Sequence, residues 1–141
     1  LDVQRTEALI HVSQTLKFTF HRAFDWVKKP INTLRQLEAL GVDTVLTSGQ
    51  RKSAHDGIDL LTELHQQAKT IQIMPGGGVG PTNILLFKEN GFPAVHLSGS
   101  KWVRTLSTSP PIPMNTISSL KEDQISVTDP ENIRKIVNAV V

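Results

Sequence analysis

The sequence predicts an α/β fold of parallel βα units, and two observations carry that reading. Short β-branched stretches alternate three times with amphipathic segments of helical spacing. That alternation implies parallel strand pairing with right-handed crossovers. All four predicted strands also end in small or chemically active residues, where parallel α/β folds build their sites.

Residues 2–13 place Val3, Ala8, Leu9, Ile10 and Val12 at broadly helical spacing and read as the tail of a helix. Residues 17–20 alternate weakly and run into His21-Arg22-Ala23-Phe24-Asp25, a strand followed by a loop. Lys29-Pro30 marks a boundary. Ile31, Leu34, Leu37 and Leu40 then recur through an otherwise polar helix that Gly41 caps. Residues 42–46 form a second strand, which ends in Thr47-Ser48-Gly49-Gln50. Over 53–69, Ile58, Leu60, Leu61 and Leu64 share one side of an amphipathic helix. A third strand at 70–74 meets Pro75 and three glycines, and Gly80-Pro81-Thr82 opens a helix that runs to about Asn90. Gly91 ends it, and a fourth strand at 94–97 breaks at Ser98-Gly99-Ser100.

Residues 101–125 read as an irregular extended loop, because Ser107-Thr108-Ser109-Pro110-Pro111-Ile112-Pro113 combines missing donors with fixed φ angles. Order returns at 126–141. Thr128 or Asp129 caps a last helix, Pro130 takes its first position, and Ile133, Ile136, Val137 and Val140 form its apolar face. The chain is read as one domain over 1–141.

Bulk properties narrow the function classes. A chain of 141 residues can hold one genuine core and is too short for two ordinary domains. With 38% apolar and 20% charged residues it reads as a soluble globular protein rather than a disordered tail. No apolar run reaches the ~18 residues of a membrane span, and no secretory signal is visible. The chain begins at Leu1 rather than Met, which reads as a processed or truncated product. Cysteine is absent, which removes disulfides, thiolate metal sites and cysteine nucleophiles together. The net charge of +2 comes from dispersed basic residues without a basic, aromatic-lined stripe, so nucleic acid is not an expected partner.

The candidate site follows from the strand ends. Gly76, Gly77 and Gly78 lack a Cβ, so their backbone can approach a ligand closely ahead of a helix start, where anions are favoured. A tight turn without ligand is the alternative. Ser98, Gly99 and Ser100 suit the same anion-holding role in a barrel whose last loops bind phosphate. Arg22 either clamps an anion or pairs with Asp25, and the pairing is the preferred reading. His21 and Asp25 are the acid–base candidates, whereas Ser48 and Gln50 are loop braces first and ligand contacts second. His21 and His96 are the candidate metal ligands, a minimal pair from different strands. Asn83 is read as a cap, and His55 and His65 as solvent-facing.

Taken together, Phe18-Thr19-Phe20-His21-Arg22-Ala23-Phe24-Asp25, Val45-Leu46-Thr47-Ser48-Gly49-Gln50 and Ile73-Met74-Pro75-Gly76-Gly77-Gly78 resemble the CutC family, named for copper homeostasis. Ser126-Val127-Thr128-Asp129 resembles that family's ending. The resemblance implies the C-terminal half of a TIM-barrel-like fold, a cytoplasmic protein and a dimer, with a role in copper handling. It further implies association with another copy or with a missing N-terminal half, and a small anion or copper as ligand. Family members often carry a glutamate two residues before the last strand's histidine, and here that position is Ala94. Soft Cu(I) prefers sulfur donors, and the only ones here are Met74 and Met114, so the residues alone do not support strong copper binding. An enzyme acting on a small phosphorylated or carboxylated molecule is the rival reading.

Overall fold

The fold is organised on β2 (Thr44–Thr47), whose Val45 and Thr47 are fully buried. β1 (Thr19–Phe20) lies on one side, with Thr19 opposite Thr44 and Phe20 opposite Val45. β3 (Gln72–Pro75) lies on the other, from Thr44 opposite Gln72 to Thr47 opposite Pro75. Both pairings are parallel, as the strand and helix alternation requires. The computed structural model describes residues 1–112, 114 and 122–141. Its contacts divide into two compact units, Leu1–Leu97 and Ser98–Ala139.

In the first unit α1 (Val3–Ser13) begins at Asp2, whose side chain accepts the Arg5 N–H. A 3₁₀ turn (Arg22–Trp26) follows β1 directly. α2 (Pro30–Ala39) starts on a proline, which loses nothing where the helix has no N–H partner to offer. It buries Leu34 and Leu37. α3 (Ile58–Gln67) buries Leu61 and Leu64, and α4 (Ile84–Glu89) buries Ile84 and Phe87. Each fully buried side chain of this size contributes about 1.5–3 kcal/mol of transfer energy. The exposed Arg5–Asp2 ion pair at 3.5 Å is worth about 1 kcal/mol at most, so packing decides the fold.

Two carboxylates set the register. Asp43 Oδ2 accepts the Phe18 N–H at 2.7 Å, which seats the entry to β1 beside β2. Glu38 Oε1 accepts the N–H groups of Lys69 at 2.6 Å and Thr70 at 3.1 Å, tying the end of α2 to the approach to β3. Gly41 ends α2 at φ +80°, as its place after the apolar repeat predicts.

Elsewhere the elements differ from expectation. The fourth strand expected at 94–97 is a single parallel bridge between Gly76 and His96, with the His96 N–H on Pro75 O at 2.8 Å. Pro75 has no N–H to offer, and Gly76 gives its own to Thr47 O at 2.9 Å, so the ladder ends after one rung. The helix expected from Ser53 begins only at Ile58, because Ser53 and Asp56 close a side-chain turn through an Oγ–Oδ2 bond of 2.7 Å. His65 is not simply solvent-facing: its ring lies 5.0 Å from that of Phe92.

The second unit contains β4 (Ser100–Arg104), β5 (Gln124–Thr128) and α5 (Pro130–Val140). The strands pair antiparallel, with Trp102 opposite Ser126 and Val103 opposite Ile125. Strand therefore brackets the stretch expected to be irregular at 101–125, because β-forming Trp102 and Val103 outweigh the proline run's influence before it begins. Of that run, Pro113 lies outside the described residues. Arg104 pairs with Asp123 at 2.9 Å and Lys101 with Asp129 at 3.3 Å. Asp129 is the cap of α5 and Pro130 its first residue, as predicted.

One close approach in the first unit sets a packing limit. A Cβ on Gly57 would sit 2.0 Å from Ser48 O, and one on Gly49 would sit 2.2 Å from Gly57 O. Gly57 has an ordinary negative φ of −97°, so the whole penalty of a side chain there is steric. Gly57→Ala is expected to lower stability by about 2–3 kcal/mol in urea denaturation, the cost of overpacking against backbone.

Candidate functional site

The loops that leave β1, β2 and β3 meet at the carboxyl ends of those strands. Phe20 hands over to His21, whose Nδ1 accepts the Ala23 N–H at 3.0 Å and caps the 3₁₀ turn. The His21 ring stacks on Phe20 with centroids 5.9 Å apart. Phe24, fully buried, anchors the turn and turns Arg22 and Asp25 toward the end of β2.

Asp25 is the hub. Its Oδ1 accepts from Thr47 Oγ1, from the Ser48 N–H at 3.0 Å and from the Gln50 N–H at 3.3 Å. Its Oδ2 accepts from Arg22 Nε at 2.7 Å and lies 3.0 Å from Ser48 Oγ. The Ser48 hydroxyl has one proton, which the Arg51 carbonyl also attracts at 2.6 Å. Burial pushes the Asp25 carboxyl up, but the bonds from Thr47, Arg22, Ser48 and Gln50 outweigh it and hold the group below its usual range. A carboxylate so engaged has little capacity left to exchange protons with a substrate. This geometry favours Asp25 as a brace over the acid–base role considered for it.

Arg22 gives its Nε to Asp25 and its Nη2 to Ser48 Oγ at 2.7 Å. Its side chain stays 43% exposed. A Cβ on Gly77 would sit 2.9 Å from Arg22 Nη1, so the glycine loop after β3 and the turn after β1 touch across the end of β2. Gly77 has φ +107°, which a side chain rarely adopts. Its carbonyl accepts the Ala54 N–H at 2.8 Å. Asn83 makes no side-chain cap of α4; it braces the glycine loop instead, accepting the Gly80 N–H and donating to Gly78 O, each at 2.9 Å.

The structure thus brings His21, Arg22, Asp25, Ser48, Gln50, Gly76, Gly77 and Gly78 to one end of the parallel sheet, with His96 beside Gly76. Gln50 serves as a brace: its Nε2 donates to Val27 O at 2.6 Å, and its φ is +59°. Ser98, Gly99 and Ser100 open the second unit, where Ser100 Oγ donates to Ser98 Oγ at 3.3 Å and Gly99 O accepts the Asp129 N–H at 2.7 Å. Sequence reasoning gave no role to Thr47 itself, although its hydroxyl links Asp25 to the Gly49 N–H at 3.0 Å. A threonine ending a β-branched strand carries no signal that separates this role from ordinary strand propensity.

Comparison with known proteins is decisive at the level of family. The sequence profile of the CutC family matches residues 1–101. This chain belongs to the CutC family. It is 35% identical to the CutC of Glaesserella parasuis serovar 5, covering 99% of this chain and 58% of that protein. To the CutC of Pasteurella multocida it is 45% identical, covering 70% and 41% respectively. The crystal structure of a CutC from Streptococcus agalactiae, provisionally designated a copper homeostasis protein, aligns with TM-score 0.63 at 31% identity, covering 68% of this chain and 49% of that one. The α/β arrangement agrees with the expected piece of a TIM-barrel-like fold. This CutC chain spans about half the length of the relatives it matches.

Among the described residues, the side chains present do not fit a copper centre. Among the described residues no three His, Cys, Asp or Glu groups gather to hold a metal. Met114, a soft donor, is exposed in the second unit. Ligation through His21 Nε2 would put the proton on Nδ1, against the Ala23 N–H that Nδ1 now accepts. Among the described residues no helix is long and apolar enough to cross a membrane.

Asp25 also yields a stability prediction. The native carboxylate ionises more readily than the unfolded one, so its stabilisation is complete above the unfolded value of about 3.9 and fades as pH falls through the lower native value. In Asp25→Asn an amide NH₂ replaces one acceptor oxygen and faces donors. The variant is expected to lose about 2 kcal/mol at pH 7 in urea denaturation and to show a smaller fall in stability below pH ~4 than the parent.

Proposed function

We propose that this chain serves copper homeostasis as part of a CutC-type protein, and that its working surface is the rim at the carboxyl ends of β1, β2 and β3. The rim takes a small phosphorylated or carboxylated ligand. The observation that supports this reading is Arg22: a half-exposed guanidinium held by Asp25 and Ser48, with Nη1 turned to the backbone of Gly77. Two of its nitrogens are already spent on protein, so little side-chain entropy is lost when the remaining N–H groups meet an anion. Gly77 keeps that approach open, because any side chain would occupy the space beside Nη1. His21, exposed beside Arg22 with Nδ1 accepting the Ala23 N–H, carries its proton on Nε2 and presents that N–H as a second donor to the ligand. Copper then enters as what the family handles, without resting on His21 and His96 as a ligand pair.

Inorganic phosphate or sulfate at about 10 mM is expected to raise the melting temperature by roughly 1–3 °C over chloride of equal ionic strength. Arg22→Gln should abolish the shift. An unchanged melting temperature in the parent would overturn the anion reading, and so would saturable Cu(I) binding in calorimetry that disappears in His21→Ala and in His96→Ala.

A further inference from the structure

Trp26 ends the 3₁₀ turn that carries Arg22 and Asp25, and it stands 89% exposed. A single exposed aromatic is ordinary on a protein surface. This one borders a cleft of about 390 Å³ together with His21, Arg22, Ala23 and Asp25. The cleft therefore joins an apolar plate to the cation of the rim. Both come from one short turn and the residue that caps it, so their juxtaposition is set locally.

The spacing of the turn keeps the plate open. Residues three apart eclipse in a 3₁₀ helix, so Arg22 and Asp25 share one edge, and Ala23 and Trp26 share the next. Along the first edge Arg22 Nε bonds Asp25 Oδ2 at 2.7 Å. Along the second, Ala23 sets only a methyl group beside the indole. Asp25 also borders the cleft, but its side chain is 7% exposed and its oxygens are turned to Thr47, Ser48, Gln50 and Arg22. The charge that the cleft meets is therefore the guanidinium of Arg22, with the His21 Nε2 N–H as a neutral donor beside it. A lone oxyanion on Arg22 fills a small part of this space and leaves the indole bare, whereas the volume lies in the range of pockets that hold whole organic ligands, which begins at about 300 Å³.

We propose that the ligand of the rim has two parts: an anionic group held by Arg22 and a flat π-electron ring stacked on Trp26. At a rise of about 2 Å per residue, Arg22 and Trp26 start about 8 Å apart along the turn, which calls for a short linker between ring and anion. A nucleoside 5′-monophosphate has this chemistry, and so does an aryl-substituted carboxylate. The inference rests on the anion reading above and adds the class of molecule that bears the anion. Indole is suited to the task, because a Trp side chain gives large contact area for only two χ angles. Its face accepts any flat ring, so the anion orients the ligand and the ring adds affinity.

The test reads Trp26 fluorescence in the full chain carrying Trp102→Phe, which leaves Trp26 as the only indole. Adenosine 5′-monophosphate is expected to quench it saturably. Ribose 5-phosphate, which lacks the ring, and adenosine, which lacks the anion, should each bind at least about tenfold more weakly in calorimetry. Trp26→Ala should remove the advantage over ribose 5-phosphate while phosphate still raises the melting temperature, and Trp26→Phe should keep most of it. Arg22→Gln should lose both effects. Titration with 3-phenylpropanoate separates the two sources of the anion, since the tighter of it and the monophosphate names the group that Arg22 takes. A monophosphate that binds no better than ribose 5-phosphate, in a parent that phosphate stabilises, overturns this inference and leaves the anion reading standing. Adenosine binding as tightly as its monophosphate overturns it too, because the ring then needs no anion. An unchanged melting temperature with phosphate and no quenching by the monophosphate overturn both readings. Should Trp26→Ala unfold, the comparison of the three ligands in the Trp102→Phe chain decides by itself.

Discussion

The carboxylate of Asp25 holds together the end of the sheet on which the rest of the first unit depends. It comes from the turn after β1 and accepts from the side chain and backbone that end β2. Without it the Ser48 and Gln50 N–H groups would point into a half-buried space with no acceptor, and Arg22 would lose the bond that fixes its Nε. Charge-assisted bonds are stronger than neutral ones, and here several share one anion. Two segments distant in sequence, the turn after β1 and the end of β2, are thereby fixed relative to one another before any ligand arrives.

Close backbone approach does the complementary work. Gly49 against Gly57, and Gly77 against Arg22, leave no room for a Cβ. The loop after β2 can therefore fold over the start of α3, and the loop after β3 can touch the turn after β1. Asn83 fastens the glycine loop from the other side. An arginine fixed in such a frame recognises a planar or tetrahedral anion at small entropic cost, which is the physical case for the rim as a binding surface. The same frame works against metal chemistry at His21, because capping the 3₁₀ turn needs Nδ1 as an acceptor, whereas ligation through Nε2 would put a proton on it.

The name of the solved relative points to copper homeostasis, whereas the chemistry of the rim favours an anion. The CutC relatives are about twice the length of the chain. Among the described residues β1 pairs only with β2, and Leu9 and Val12 of α1 are exposed.

The strand and helix order of the first unit was legible in the sequence, because hydrophobic period and glycine or proline punctuation are local properties. Pro30 starting α2, Gly41 ending it and Asp129 capping α5 are such cases. The gathering of His21, Arg22, Asp25, Ser48 and Gly76–78 was legible too, since parallel strands put all their carboxyl ends on one side. What the sequence could not decide was partnership. The pairing of Arg22 with Asp25 was the preferred reading and is what forms, but whether Asn83 capped a helix or braced a loop, and whether 94–97 made a ladder or one rung, turned on which donor lay within about 3 Å across the chain. Gly57 and Thr47 stayed hidden for the same reason: their importance lies in what sits opposite them, and only tertiary packing brings that neighbour into contact.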